Sequence, residues 1–195
     1  MTLRSGTVTP RYHLAVRLCH WATLCLVAAQ ILAVMLNKGV YEPRPVLAET
    51  LVQIHISLGG LIFGVTFVRL AARIFSPAPP LPSKAVLRWG AIFAHASLYL
   101  CLLILPVTGY LRLAALGFEV ELFRVISLPV IELNVALSKV AAQVHRIFSF
   151  AFVTLITVHV AAAVLHHRLD GHAVLPRMGF NASRRFRHSF FSKSE

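Results

Sequence analysis

Four runs of apolar residues separated by shorter polar segments dominate the chain, at roughly 14–36, 50–72, 89–111 and 144–166. Each reaches the ~20 residues that an α-helix needs to cross ~30 Å of hydrocarbon. The pattern predicts an all-α protein, an integral membrane four-helix bundle, with one domain over residues 1–178 and a basic tail over 179–195. The first run is too long for a signal-peptide core and no small-residue cleavage pattern follows it, so it reads as a retained span.

The connecting segments differ in character. NKGVYEPRPVLAE, with two prolines and no apolar period, is a connector, and SPAPPLPSK is proline-rich and extended. The segment from Arg112 to Val140 is the longest, and its run GFEVELFRVISLPVIEL is expected to form a short interfacial helix over the outer surface. Pro106, with Gly109, predicts a kink or a freed carbonyl near the outer end of the third helix. Gly60 and Gly64 form a small-xxx-small pair suited to close helix packing. Gly59, one turn from His55, suits the same packing or the flat face of a macrocycle.

Composition and charge then narrow the class. Of 195 residues, 57% are hydrophobic and only 13% charged, which excludes a soluble domain of this size. The formal charge of +12 is asymmetric. Arg4, Arg11 and Arg17, then Arg69, Arg73, Lys84 and Arg88, then Arg168, Arg177, Arg184, Arg185, Arg187 and Lys193 face only Asp170 and Glu195. In the other two loops, Lys38, Arg44, Arg112, Arg124 and Lys139 are cancelled by Glu42, Glu49, Glu119, Glu121 and Glu132. By the positive-inside rule both termini are cytoplasmic. Because the positive charge sits beside apolar spans, it points to membrane lipid and not to nucleic acid, and the tail reads as a segment drawn to anionic headgroups. The match Asn181-Ala-Ser to a glycosylation acceptor is without meaning on that side. Cys19, Cys25 and Cys101 fall inside spans and form no CxxC motif.

The candidate chemistry is carried by histidines. His145 and His159 are 14 residues apart in one apolar run. On an α-helix that step keeps both rings within about 40° of one face and ~21 Å apart. With alternating helix directions, His55 and His145 lie near the outer ends of their helices, and His20, His95 and His159 lie about two turns inside the inner ends. Ionisable groups at such depth are functional by default. Two imidazoles on facing helices are a standard way to hold a low-spin haem, with no open iron position and hence electron transfer as the role. A four-ligand zinc site and a carboxylate-bridged di-iron centre do not fit, since no depth offers the thiolates or acids. The inner choice among His20, His95 and His159 stays open on spacing alone. Arg69 and Arg73, one turn apart, are suitable partners for haem propionates or a quinone headgroup.

The landmarks LCHW, QIHISLGG, FVRLAARIFSPAPPLP, AHASLYLCLLILPVTGY, VHRIFSF and VHVAAAVLHHRLDGHAVLPRM occur in this order over residues 11–178. Together they resemble the prokaryotic cytochrome b561 family of dihaem membrane cytochromes. The resemblance implies two haem b groups, the inner one on His20 and His159 and the outer one on His55 and His145. It further implies a bacterial inner-membrane location and quinone chemistry near the inner haem, with Arg17, Arg69, Arg73, His95, His166 and His167 as candidate quinone-side residues. Small stand-alone members pass electrons from superoxide to ubiquinone; related members are relay subunits that link a partner dehydrogenase or hydrogenase to the quinone pool. The short loops favour the stand-alone activity, while the balanced outer charge leaves only Arg112, Lys139 and Arg146 to steer an anion.

Overall fold

The structure, a computed structural model, describes residues 11–40, 44–76, 85–169 and 174–179. The expectations for the polar N-terminus, the proline-rich segment 77–84 and the tail from 180 onward, Asn181 included, concern residues outside the described ones.

Four long helices account for most of the chain: α1 (Leu14–Val40), α2 (Pro45–Phe75), α3 (Ala85–Ala114) and α4 (Val135–Leu169). All four are long and apolar enough to cross a membrane. A helix satisfies its own backbone hydrogen bonds, which hydrocarbon cannot do for it. The helices overrun the apolar runs because their ends have local support. Pro45 occupies the first turn of α2, where no N–H is missed. Asn134 caps α4, its Oδ1 accepting from the Leu137 N–H at 2.9 Å. That cap starts α4 at Val135, well before the expected 144.

Large apolar side chains face outward along the bundle; Met35, Phe67, Phe93 and Phe150 are each more than half exposed. Lipid, not protein, covers that surface. The interior is a small apolar cluster of Val27, Ile62, Cys101, Leu102 and Phe152. Phe152 lies midway in sequence between His145 and His159, so this cluster separates one histidine depth from the other.

α1 packs along α2 and α3 along α4, and α2 joins α3. Among the described residues α1 and α4 make no close backbone approach. At the end where α1 begins and α4 finishes, here the basic end, a short helix α5 (Val174–Arg177) packs on α4. The Tyr12 N–H donates to the Arg177 carbonyl at 3.2 Å and Trp21 Nε1 to the Met178 carbonyl at 3.0 Å.

The opposite end corrects one expectation. GFEVELFRVISLPVIEL forms no helix; it folds as an antiparallel hairpin of β1 (Glu121–Leu122) and β2 (Ile126–Ser127). Phe123 and Arg124 both take positive φ, 55° and 56°, and the Val125 N–H bonds the Leu122 carbonyl at 3.0 Å, a turn whose twist suits a hairpin. The physical reason is external support from α2. Gln53 Nε2 donates to the Glu121 carbonyl at 2.7 Å, and the Phe123 N–H donates to Ser57 Oγ at 2.8 Å. Leu122 lies on Gly60, where a Cβ would come within 2.8 Å of its methyl carbons. Gly60 therefore serves the hairpin, a use that the small-xxx-small reading did not include.

Candidate functional site

At the hairpin end, α2 presents His55 and α4 presents His145, with ring centroids 6.3 Å apart and planes inclined at 73°. A carbonyl oxygen can only accept, so the 3.0 Å contact from His145 Nδ1 to the Leu105 carbonyl places the proton on Nδ1. Thr108 Oγ1, 3.2 Å from the same nitrogen, is a second acceptor, its own hydrogen being directed at the Ile104 carbonyl 2.8 Å away. Nε2 of His145 is then left with its lone pair, the form that ligates a metal. Gly109 makes room for this ring: a Cβ there would lie 3.2 Å from His145 Cε1.

His55 is held from α1. Gln30 Nε2 donates to the His55 carbonyl at 3.0 Å and lies 3.4 Å from His55 Nε2. His55 Nδ1 and Gln30 Oε1 are both buried without a hydrogen-bond partner. A Cβ at Gly59 would lie 3.7 Å from Gln30 Nε2, so the amide packs beside this glycine. Gln30 and Thr108 escaped the sequence reading, although a glutamine within VAAQILAV was a visible signal.

At the other depth, Arg69 Nη2 lies 2.9 Å from His20 Nδ1. Guanidinium can only donate, so the proton of a neutral His20 sits on Nε2, the reverse of His145. Arg69 also lies over the Tyr99 ring, 5.1 Å from its centroid, and its Nε is buried without a partner. His95 Nδ1 donates to the Ala91 carbonyl at 2.6 Å. Its ring stands edge-on to that of His159, with centroids 5.3 Å apart. The Trp21 ring meets His20 edge-on at 5.4 Å. The structure thus gathers His20, Arg69, His95 and His159, and the direct ring contact with His159 belongs to His95.

Nearer the end of the bundle, Arg73 stacks over Tyr12 at 5.2 Å and Arg17 packs on Gly179. Arg17 Nε and His167 Nδ1 are buried without partners, and His166 is half-buried.

Metal bonds to imidazole nitrogen are about 2.0 Å long, so two rings on opposite sides of one ion have centroids roughly 6 Å apart. The His55–His145 spacing of 6.3 Å meets that requirement. The fixed Nδ1 proton of His145 and the orphaned buried nitrogen of His55 fit it as well. A polytopic helical bundle that carries paired imidazoles between its helices belongs to the class of membrane cytochromes. The chain matches the prokaryotic cytochrome b561 family over residues 11–181. It is also 30% identical to cytochrome b561 homolog 2 of Escherichia coli (strain K12), in an alignment of 184 positions that covers 89% of this chain and 94% of that protein. The chain belongs to the prokaryotic cytochrome b561 family and is a membrane haem b electron-transfer protein.

Proposed function

We propose that the protein holds two haem b groups and moves electrons from superoxide at the extracytoplasmic face to ubiquinone in the bacterial inner membrane, with both termini in the cytoplasm. The observation that carries this reading is the His55–His145 pair, set 6.3 Å apart with the His145 proton turned away onto Leu105. Haem supplies reversible one-electron storage, which couples a one-electron donor to a two-electron acceptor. Two superoxide ions become two dioxygen molecules by losing one electron each, and the quinone becomes quinol by taking those two electrons and two protons.

The chain's own residues divide the work. His55 and His145 hold the hairpin-end haem. His20 and His159 hold the other, on helices α1 and α4 that stand apart along the bundle and leave room for a flat ligand. With His20 holding a haem through Nε2, its proton would sit on Nδ1 and Arg69 would turn from this contact, leaving the guanidinium for a propionate or a quinone oxygen. Arg73, His95 and His166 lie on the quinone side. Arg112, Lys139 and Arg146, all exposed near the hairpin end, attract the superoxide anion.

One observation favours a second ligand set at the basic end. His95 has its Nδ1 proton directed at Ala91 and its ring against His159, so His95 would replace His20 as the partner of His159. A second function, relay between a partner dehydrogenase or hydrogenase and quinone, uses the same haems with another donor. The test is stopped-flow reduction of the purified protein by a superoxide pulse, followed by reoxidation with a ubiquinone analogue. Fast reduction with quinone-dependent turnover supports the stand-alone activity. Failure to react, in a protein that dithionite reduces normally, assigns the relay role.

A further inference from the structure

The hairpin of β1 and β2 is held beside α2 and not above it. Gln53 Nε2 donates to the Glu121 carbonyl, the Phe123 N–H donates to Ser57 Oγ, and Leu122 lies on Gly60. α2 has 31 residues, about 46 Å at ~1.5 Å per residue, against ~30 Å of hydrocarbon. If the whole excess stood out of the membrane at the hairpin end, the ~20 residues left within it would still begin near residue 56. Ser57 and Gly60 fall inside that limit. Arg69 and Arg73, toward the other end of α2, are charges that hydrocarbon disfavours, so they shift the span toward earlier residues and set Ser57 deeper. The hairpin tip therefore lies within the leaflet on its own side of the membrane.

The tip is built for that depth. Val125 is 82% exposed, and Phe123 and Ile126 are each more than half exposed, an apolar surface that hydrocarbon can cover. Backbone groups that hydrocarbon could not serve are paired. Besides the two bonds to α2, the Val125 N–H bonds the Leu122 carbonyl and the Leu128 N–H bonds the Val120 carbonyl at 2.9 Å. Phe123 and Arg124 hold positive φ, a region in which glycine or asparagine costs least. The turn thus keeps two large side chains where the backbone favours small ones.

Between the tip and α2 is a cavity of about 330 Å³. Gln53, Ser57 and Arg124 give it a polar side, and Ile54, Leu58 and Phe123 an apolar one. His55 is not among the lining residues, so the cavity is separate from the histidine site. Among the described residues Arg124 forms no ion pair, Glu119 and Glu121 included. A matching ligand needs an anionic head for the guanidinium and a hydrocarbon chain for the apolar wall, and it must arrive from within the leaflet. A phospholipid has all three properties. A soluble anion lacks the chain, and a quinone lacks the charge.

We propose that the hairpin tip and α2 hold one phospholipid of that leaflet, its phosphate on Arg124 and an acyl chain along Ile54, Leu58 and Phe123. Val125 and Ile126 sit among the surrounding acyl chains. The site depends on no haem placement.

The test uses the full-length protein. For depth, Val125→Cys and Glu132→Cys are reacted with a water-soluble maleimide in nanodiscs of phosphatidylethanolamine and phosphatidylglycerol, the parent serving as the blank for Cys19, Cys25 and Cys101. Glu132→Cys is expected to react at least about tenfold faster, and Val125→Cys to catch up once the protein is unfolded, because a thiol in hydrocarbon is kept from the aqueous reagent. Equal rates overturn the placement of the hairpin in the leaflet. Protection of Val125→Cys in native membranes but not in nanodiscs also overturns it, and assigns the face to a protein partner. For occupancy, native mass spectrometry counts the phospholipid retained after purification in detergent. Arg124→Gln is expected to retain one phospholipid fewer than the parent, and Arg124→Lys to restore it. Ile54→Trp fills the apolar side and keeps the charge; it is expected to lose the same phospholipid, and it decides the matter if Arg124→Gln does not accumulate. Equal phospholipid counts in the parent and these variants overturn the site.

Discussion

His145 Nδ1 lies 3.0 Å from the carbonyl oxygen of Leu105, the residue before the proline of α3. One helix thereby sets the proton of a histidine on its neighbour, and leaves Nε2 as the nitrogen that the proposed haem pairing would use. Gly109, one turn further along α3, lets the ring lie there. Gly109→Ala places a Cβ 3.2 Å from His145 Cε1 and must shift the ring. Overpacking of this kind costs about 1–3 kcal/mol. The expected result is partial loss of the hairpin-end haem with the other retained, measured by pyridine haemochrome and low-temperature spectra. Full haem content with an unchanged spectrum would show that the ring is not constrained by this contact.

Replacement of His55 or His145 by Ala is expected to remove one haem and keep the second, and replacement of His20 or His159 to do the converse. The ratio of haem to polypeptide should fall by about half in each, since a lost axial imidazole has no substitute at the same depth. His95→Ala is the discriminating variant. Retention of both haems supports the His20–His159 pair; loss of the basic-end haem, with His20→Ala unaffected, transfers the ligand role to His95.

Gly60 and Leu122 make a second pair whose packing is testable apart from redox chemistry. Gly60→Ala brings a Cβ against both Leu122 methyl carbons at 2.8 Å, so the leucine must rotate or the hairpin lift from α2. A loss of about 1–3 kcal/mol is expected in detergent unfolding. Leu122→Ala in the same background should recover part of it, a coupling that a double-mutant cycle measures. Simple additivity of the two substitutions would show that the hairpin is not seated on this glycine.

Charge near the hairpin end should govern the rate at which an anionic donor arrives. Arg146 is exposed, next to His145 in sequence, and donates to Gln143 Oε1 at 3.1 Å. Arg146→Glu and Lys139→Glu are expected to slow haem reduction by superoxide severalfold at low salt, and the difference should shrink as salt shortens the ~10 Å screening length. A salt-independent loss would indicate damage to the haem site and not to steering.

The family, the four spans and the two histidine depths were open to reading from the sequence because their causes are local. Hydrocarbon thickness sets how long an apolar run must be, and the 3.6-residue period sets which face a histidine shares with another 14 positions away. Helix and hairpin at residues 117–133 could not be separated in that way. Phe123 and Arg124 hold positive φ without the glycine or asparagine that would announce it, and the support comes from Gln53 and Ser57 on α2. The same holds for the proton of His145, settled by Leu105 from another helix, and for Gln30, whose partner His55 lies 25 residues away. Sequence by itself determined which groups lie at which depth in the membrane. Tertiary structure alone decided which nitrogen of His145 and of His20 carries the proton and that Arg17 packs on Gly179, because those outcomes depend on groups that meet only after the helices pack.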